Sequence, residues 1–145
     1  CQGSLIYHLV DLRTKCPYPS FKITCRAVQI SQVLLNLVNN AHDAARESKE
    51  RWIEISTELI GDYVEFRVRN SGAKISKERA LHIFDAFYTT KKVGEGTGLG
   101  LSISVKIAQD HGGLLFVDSQ DEHTCFVLRI LTNPEIRKLE SQSFV

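Results

Sequence analysis

The chain has 145 residues, 43% of them apolar and 24% charged, with a formal net charge of +1. That length suits a single domain with one core. The near-neutral balance, without a basic stripe, argues against nucleic acid as a partner, and the longest apolar stretch, Val33 to Val38, is too short and too interrupted by Asn36 to span a membrane.

In chain order, residues 1 to 20 carry no readable period, and TKCPYPS, with Pro17 and Pro19, is a loop. Phe21 to Cys25 alternates apolar and polar residues, which predicts a short strand. From about Ala27 to Ser48, residues Ile30, Val33, Leu34, Leu37, Val38, Ala41 and Ala45 form a stripe at helical spacing. Ile53 to Leu59 and Val64 to Val68 alternate on either side of Gly61-Asp62, which predicts a hairpin. Asn70-Ser71-Gly72 breaks the second strand, and Ser76 caps a short helix from Lys77 to about Phe84. A loop from Asp85 leads into GEGTGLG at 94–100, and a helix over Leu99 to Asp110 stops at His111-Gly112-Gly113. Leu114 to Asp118 and Thr124 to Leu131 predict a second hairpin. Asn133 and Pro134 fit the start of a short helix in the tail. The expected fold is an α/β (α+β) two-layer sandwich, a mixed, mainly antiparallel sheet with its helices packed on one face.

Two local features oppose ordinary propensity. The first lies in the long helix, where Asn36, Asn40 and Asp43 are spaced four and three apart and so share a face. Asparagines in a helix middle compete for backbone hydrogen bonds, and such a conflict inside VLLNLVNNAHDA marks a site. Amide and carboxylate oxygens are hard ligands, and Mg2+ takes only one or two of them beside water and phosphate oxygens. The second feature is the glycine run. It lacks the lysine of a Walker loop and the G-x-G-x-x-G order of a dinucleotide fingerprint. It does open a helix, where free N–H groups suit an anion.

Together these stretches closely resemble the ATP-binding catalytic domain of sensor histidine kinases, within the GHKL class that also holds gyrase-like and chaperone ATPases. QVLLNLVNNAHDA resembles its N box, NSG at 70–72 its G1 box, IFDAFYTTK its F box and lid lysine, and GEGTGLGLSI its G2 box. The order and spacing agree from about Ala27 to Leu131. The resemblance implies a Bergerat fold, an ATP-binding catalytic domain over 1–131 and a separate tail over 132–145. It implies ATP and Mg2+ as cofactors, with Asn40 on the metal and Asn36 supporting metal or phosphates. Asn70 would face the adenine amino group, Gly72 would make room for the ring, and Thr124 would lie near it. Gly94, Gly96, Gly98 and Gly100 would wrap the triphosphate, with the N–H groups of Thr97 and Leu99 as donors. Lys91 would meet the terminal phosphates, and Phe84 and Phe87 would anchor the lid in apolar contacts. Asp43, Ile75, Phe87, Thr90 and Leu101 complete the implied nucleotide-binding set.

Hydrolysing relatives carry Glu at the Asn36 position. An amide cannot serve as a general base at neutral pH, which favours phosphoryl transfer over hydrolysis. The implied partner is a histidine phosphoacceptor and dimerisation domain of the same parent protein, and indirectly a response regulator. No histidine here lies in an acceptor motif outside the N-box helix, and the chain has no methionine, so it reads as a fragment. The scattered Cys1, Cys16, Cys25 and Cys125 read as reduced thiols in a cytoplasmic domain without membrane contact.

Three positions depart from the family pattern: Asn70 for the usual Asp, Lys74 for a glycine and Ala86 for a proline. Asn70 offers both an acceptor and a donor to adenine, so adenine preference is expected to be retained with some loss of affinity. The departures also motivate a second reading, a nucleotide-binding or interaction module without transfer activity. A third reading is an anti-sigma-type serine kinase, against which Asn36 and FYTTK argue.

Overall fold

The computed structural model describes residues 9–17, 22–88 and 99–133. Strand β1 is Asp11–Lys15, helix α1 Ala27–Ala45, β2 Trp52–Ile60 and β3 Tyr63–Asn70. Then follow α2 Lys77–His82, α3 Gly100–Asp110, β4 Leu114–Val117 and β5 Thr124–Leu131. The strands make one sheet in the order β1-β2-β3-β5-β4. Every neighbouring pair is antiparallel except β1 and β2.

The expected two-layer arrangement is present. Ile30, Val33, Leu37, Ala41 and Ala45 recur at three and four along α1 and are all buried. They meet Ile53, Val64, Val68, Phe126, Leu128 and Ile130, which alternate along β2, β3 and β5 and face the same side of the sheet. Ile107 and Ala108 bring α3 onto the same core. Gly61 turns the β2–β3 hairpin at φ 57°, a conformation natural to glycine.

The end of α3 is a Schellman motif. Gly112 lies at φ 71°, its N–H donates to Gln109 O at 3.0 Å, and the Gly113 N–H donates to Ala108 O at 2.9 Å. His111 adds a link between helices. Its Nε2 accepts the Arg26 N–H at 3.1 Å, just before α1, so its Nδ1 carries the hydrogen given to Ile107 O at 2.8 Å.

Two expectations need correction. No strand forms over the described part of Phe21 to Cys25, residues 22–25. The extra strand is β1, DLRTK, exposed at all five positions and paired with β2 from Asp11↔Trp52 to Lys15↔Ser56. Its side chains show no buried period, so only the distant partner reveals it. The proposed tail helix lies outside the described residues.

The opposite sheet face is an ion-pair lattice. Glu65 is buried and accepts from Arg129 Nε at 2.8 Å and Arg67 Nη1 at 3.1 Å. Arg67 also pairs with Asp118, and Arg69 joins Glu54 at 3.2 Å to Asp121 at 2.9 Å. The Lys15 ammonium, and then Arg69, hold the Glu54 carboxyl below the usual range against its burial. The Gln120 amide and then Arg67 do the same for Asp118. For Asp121 burial opposes ionisation, but the His123 amide and Arg69 outweigh it. A folded pKa below the unfolded one contributes stability that is fully present above the unfolded value and lost as pH falls through the folded one. Stability should therefore hold from pH 7 to about 5 and fall below about pH 4. Arg69→Met should lower stability at pH 7 and flatten the acid decline in urea titrations. An unchanged acid slope would show that these pairs do not set it.

Candidate functional site

At one end of the sheet β3 and β5 finish side by side, with Asn70 opposite Thr124. Here the C-terminal half of α1, the loop after β3, α2 and the start of α3 enclose a cavity of about 900 Å3. That volume is in the range of small-molecule sites. Asn40, Asp43, Asn70, Ile75, Leu101 and Thr124 all line it. The face of α1 chosen from sequence spacing thus does look into a cavity. Asp43 lies 3.9 Å from His42 Nδ1.

The loop 71–75 is held by side chains of the two strand ends. Asn70 Oδ1 accepts the Gly72 N–H at 2.8 Å. Thr124 Oγ1 gives its hydrogen to Ala73 O at 3.1 Å and accepts the Ile75 N–H at 3.1 Å. Lys74 Nζ reaches out to Ser119 O at 3.2 Å, tying the loop to the β4–β5 turn. Ser76 accepts the Arg79 N–H at 3.2 Å and starts α2, as its position predicts.

Several expected site residues are placed otherwise. Asn36 does not line the cavity. Its Nδ2 donates to Ser104 Oγ at 3.2 Å and Gly100 O at 3.3 Å, clasping α1 to the first turn of α3. Ser104 in turn donates to Gly100 O at 2.8 Å. Gly72 makes room for protein: a Cβ there would stand 2.8 Å from both Cβ and O of Ala44. Phe87 is 73% exposed at φ 66°, whereas Phe84 packs edge-on against Phe126 at 6.2 Å. Leu99 and Gly100 begin α3 without lining the cavity. Thr90, Lys91, Gly94, Gly96, Thr97 and Gly98 lie outside the described residues.

The cavity also has walls that spacing alone did not single out. Arg46, Glu47 and Arg79 line it. Arg46 and Glu47 follow Asp43 by three and four, so they continue its face, and that signal was available. Arg79 sits in the first turn of α2, where an arginine looks like ordinary surface.

The donor set fits a nucleotide with its metal. Among the described residues no three His, Cys, Asp or Glu side chains cluster, so a cation here would rest mainly on phosphate and water oxygens. Asn40 and Asp43, both on the cavity wall, are hard oxygen donors that could supply the one or two protein ligands such an ion would take.

The one-sided α/β sandwich with a cavity at its sheet end is the architecture that the sequence resemblance implies. Residues 25–134 match the histidine kinase-, DNA gyrase B-, and HSP90-like ATPase family, and the chain belongs to that family. The two-component sensor PprA of Pseudomonas aeruginosa is 35% identical over 127 residues, 82% of this chain and 14% of PprA. The sensory histidine kinase/phosphatase NtrB of Rhizobium leguminosarum bv. phaseoli is 37% identical over 112 residues, 68% of this chain and 29% of NtrB. The chain therefore spans less than a third of either relative. The solved catalytic domain of histidine kinase ThkA superposes with a TM-score of 0.79 at 33% identity, covering 92% of this chain and 86% of that one. Among the described residues no helix is long and apolar enough to cross a membrane.

Proposed function

We propose that this chain is the catalytic domain of a cytoplasmic histidine kinase module. It binds ATP with Mg2+ and presents the γ-phosphoryl group to a histidine on a separate phosphoacceptor domain of the same parent. The observation that carries this reading is one cavity with hard oxygens of α1, Asn40 and Asp43, on one wall and a buried amide, Asn70, on another.

In this reading Asn40 holds the metal and Asp43 supports it. The metal, when bound, neutralises phosphate charge. The N–H groups of the glycine run and Lys91 complete the phosphate contacts. The Asn36–Ser104 clasp fixes where α3 begins, and so where the glycine run ends. Such a domain contributes positioning and charge neutralisation, with no covalent step of its own. Asn36 has no proton-accepting role and its nitrogen is already committed to α3, so water is not activated there. ThkA has been solved in complex with the response regulator TrrA, which supports a response regulator as the next acceptor here.

The test supplies the parent's helical phosphoacceptor domain in trans, with γ-labelled ATP and Mg2+. Acid-labile label should appear on that domain and none on this chain's histidines. Tight ATP binding with no transfer would favour the non-catalytic module.

A further inference from the structure

β1 is an open edge of the sheet. It pairs with β2 on one side, and among the described residues no strand lies on the other. The Asp11 N–H donates to Arg51 O at 2.8 Å, beside the start of β2. Backbone groups alternate in direction along a strand. Asp11, Arg13 and Lys15 therefore bond towards β2, while Leu12 and Thr14 turn their N–H and C=O groups to the open edge.

An exposed edge is normally blunted by a charge, a proline or a bulge. DLRTK has no proline, and its register with β2 runs unbroken from Asp11↔Trp52 to Lys15↔Ser56. Its two cations do not guard the edge either. Arg13 pairs with Asp11 at 2.9 Å and lies over the Trp52 ring at 5.2 Å, and Lys15 pairs with Glu54 at 3.0 Å. Trp52 and Glu54 both belong to β2, so both side chains lean inward, and each has an acid beside it. What remains is an unguarded row of main-chain groups with Leu12 57% exposed on it.

We propose that this edge pairs with β1 of a second copy of the chain, antiparallel about a two-fold axis at Arg13. That axis lies at the centre of the strand, so all five residues take part. It sets Leu12 opposite Thr14 of the second copy, and Thr14 opposite Leu12, which lets their outward N–H and C=O groups bond to one another. It also sets Asp11 opposite Lys15 of the second copy, twice by symmetry, so the strand is its own charge complement. Arg13 meets its own copy at the axis, but its guanidinium is drawn over Trp52, away from the join. β1 and β2 both begin at the cavity end of the sheet. An antiparallel join therefore puts the two cavities at opposite ends of one continuous sheet, and the pairing is independent of the nucleotide reading.

Sedimentation equilibrium of the unmodified chain tests this. A reversible monomer–dimer equilibrium is expected, with a dissociation constant on the order of 0.1–1 mM, as suits so small a contact. Thr14→Pro removes an outward N–H at a position where an edge strand tolerates proline. It should weaken the dimer at least about tenfold and melt like the unmodified chain. Asp11→Lys and Lys15→Glu should each weaken association at least about tenfold, because like charges then face each other. An equimolar mixture of those two variants should associate again, a rescue that damage to the fold would not give. A chain that stays monomeric throughout the concentration range overturns the proposal. So does a dimer that Thr14→Pro leaves unchanged, which would use another face. A mixture that stays monomeric overturns the axis at Arg13.

Discussion

Gly113→Ala is expected to cost about 3 kcal/mol of folding stability, the upper end of what overpacking by one methyl usually costs. A Cβ at Gly113 would fall 1.7 Å from Arg129 O, 2.7 Å from Arg129 C and 2.9 Å from Ile130 Cα. All three atoms are backbone, and they belong to β5, which is held between β3 and β4. Neither side can yield cheaply. Moving Gly113 would also loosen the Schellman hydrogen bond to Ala108 O. The natural control is Gly61→Ala. Its φ is 57° but its missing Cβ would meet nothing within 4 Å, so only the left-handed backbone cost of about 1–2 kcal/mol applies. Urea midpoints of the two variants should differ in that order. A Gly113→Ala protein as stable as Gly61→Ala would refute the packing argument.

Asn40→Ala is expected to lower Mg-dependent ATP affinity about 100-fold or more, since even indirect supports of a bound metal are worth 10–100-fold. Asn40 lines the cavity, and among the described residues its carboxamide makes no hydrogen bond, so the fold does not depend on it. The variant should melt like the parent protein. Asn39→Ala, on the exposed side of the same helix, should leave affinity unchanged. Equal losses from both would mean that helix stability, and not the Asn40 oxygen, is being measured.

Much of this architecture was legible because it is local. The α1 stripe, the two hairpins, the Ser76 cap and the His111-Gly112-Gly113 stop each depend on residues within a few positions of one another. β1 was not legible, because all five of its side chains are exposed and its partner β2 begins about forty residues later. The apparent strand at Phe21 to Cys25 shows the converse: alternation without a neighbouring strand to bond forms no strand over 22–25. Around the site, helical spacing correctly put Asn40 and Asp43 on one face. It also put Asn36 there, whereas the nearest polar partner of Asn36 is Ser104, 68 positions on. Gly72 was read as space for a ring, but the space is filled by Ala44, a contact that only tertiary packing determines. Phe87 was expected from the family resemblance to make apolar contacts, and it is largely exposed.

The most direct measurement is titration of the folded chain with ATP by calorimetry, with Mg2+ and again with excess chelator. Saturable binding at or below millimolar ATP, greatly weakened by the chelator, is the predicted result. A chain that is folded by circular dichroism yet takes up no adenine nucleotide with the metal present would contradict it.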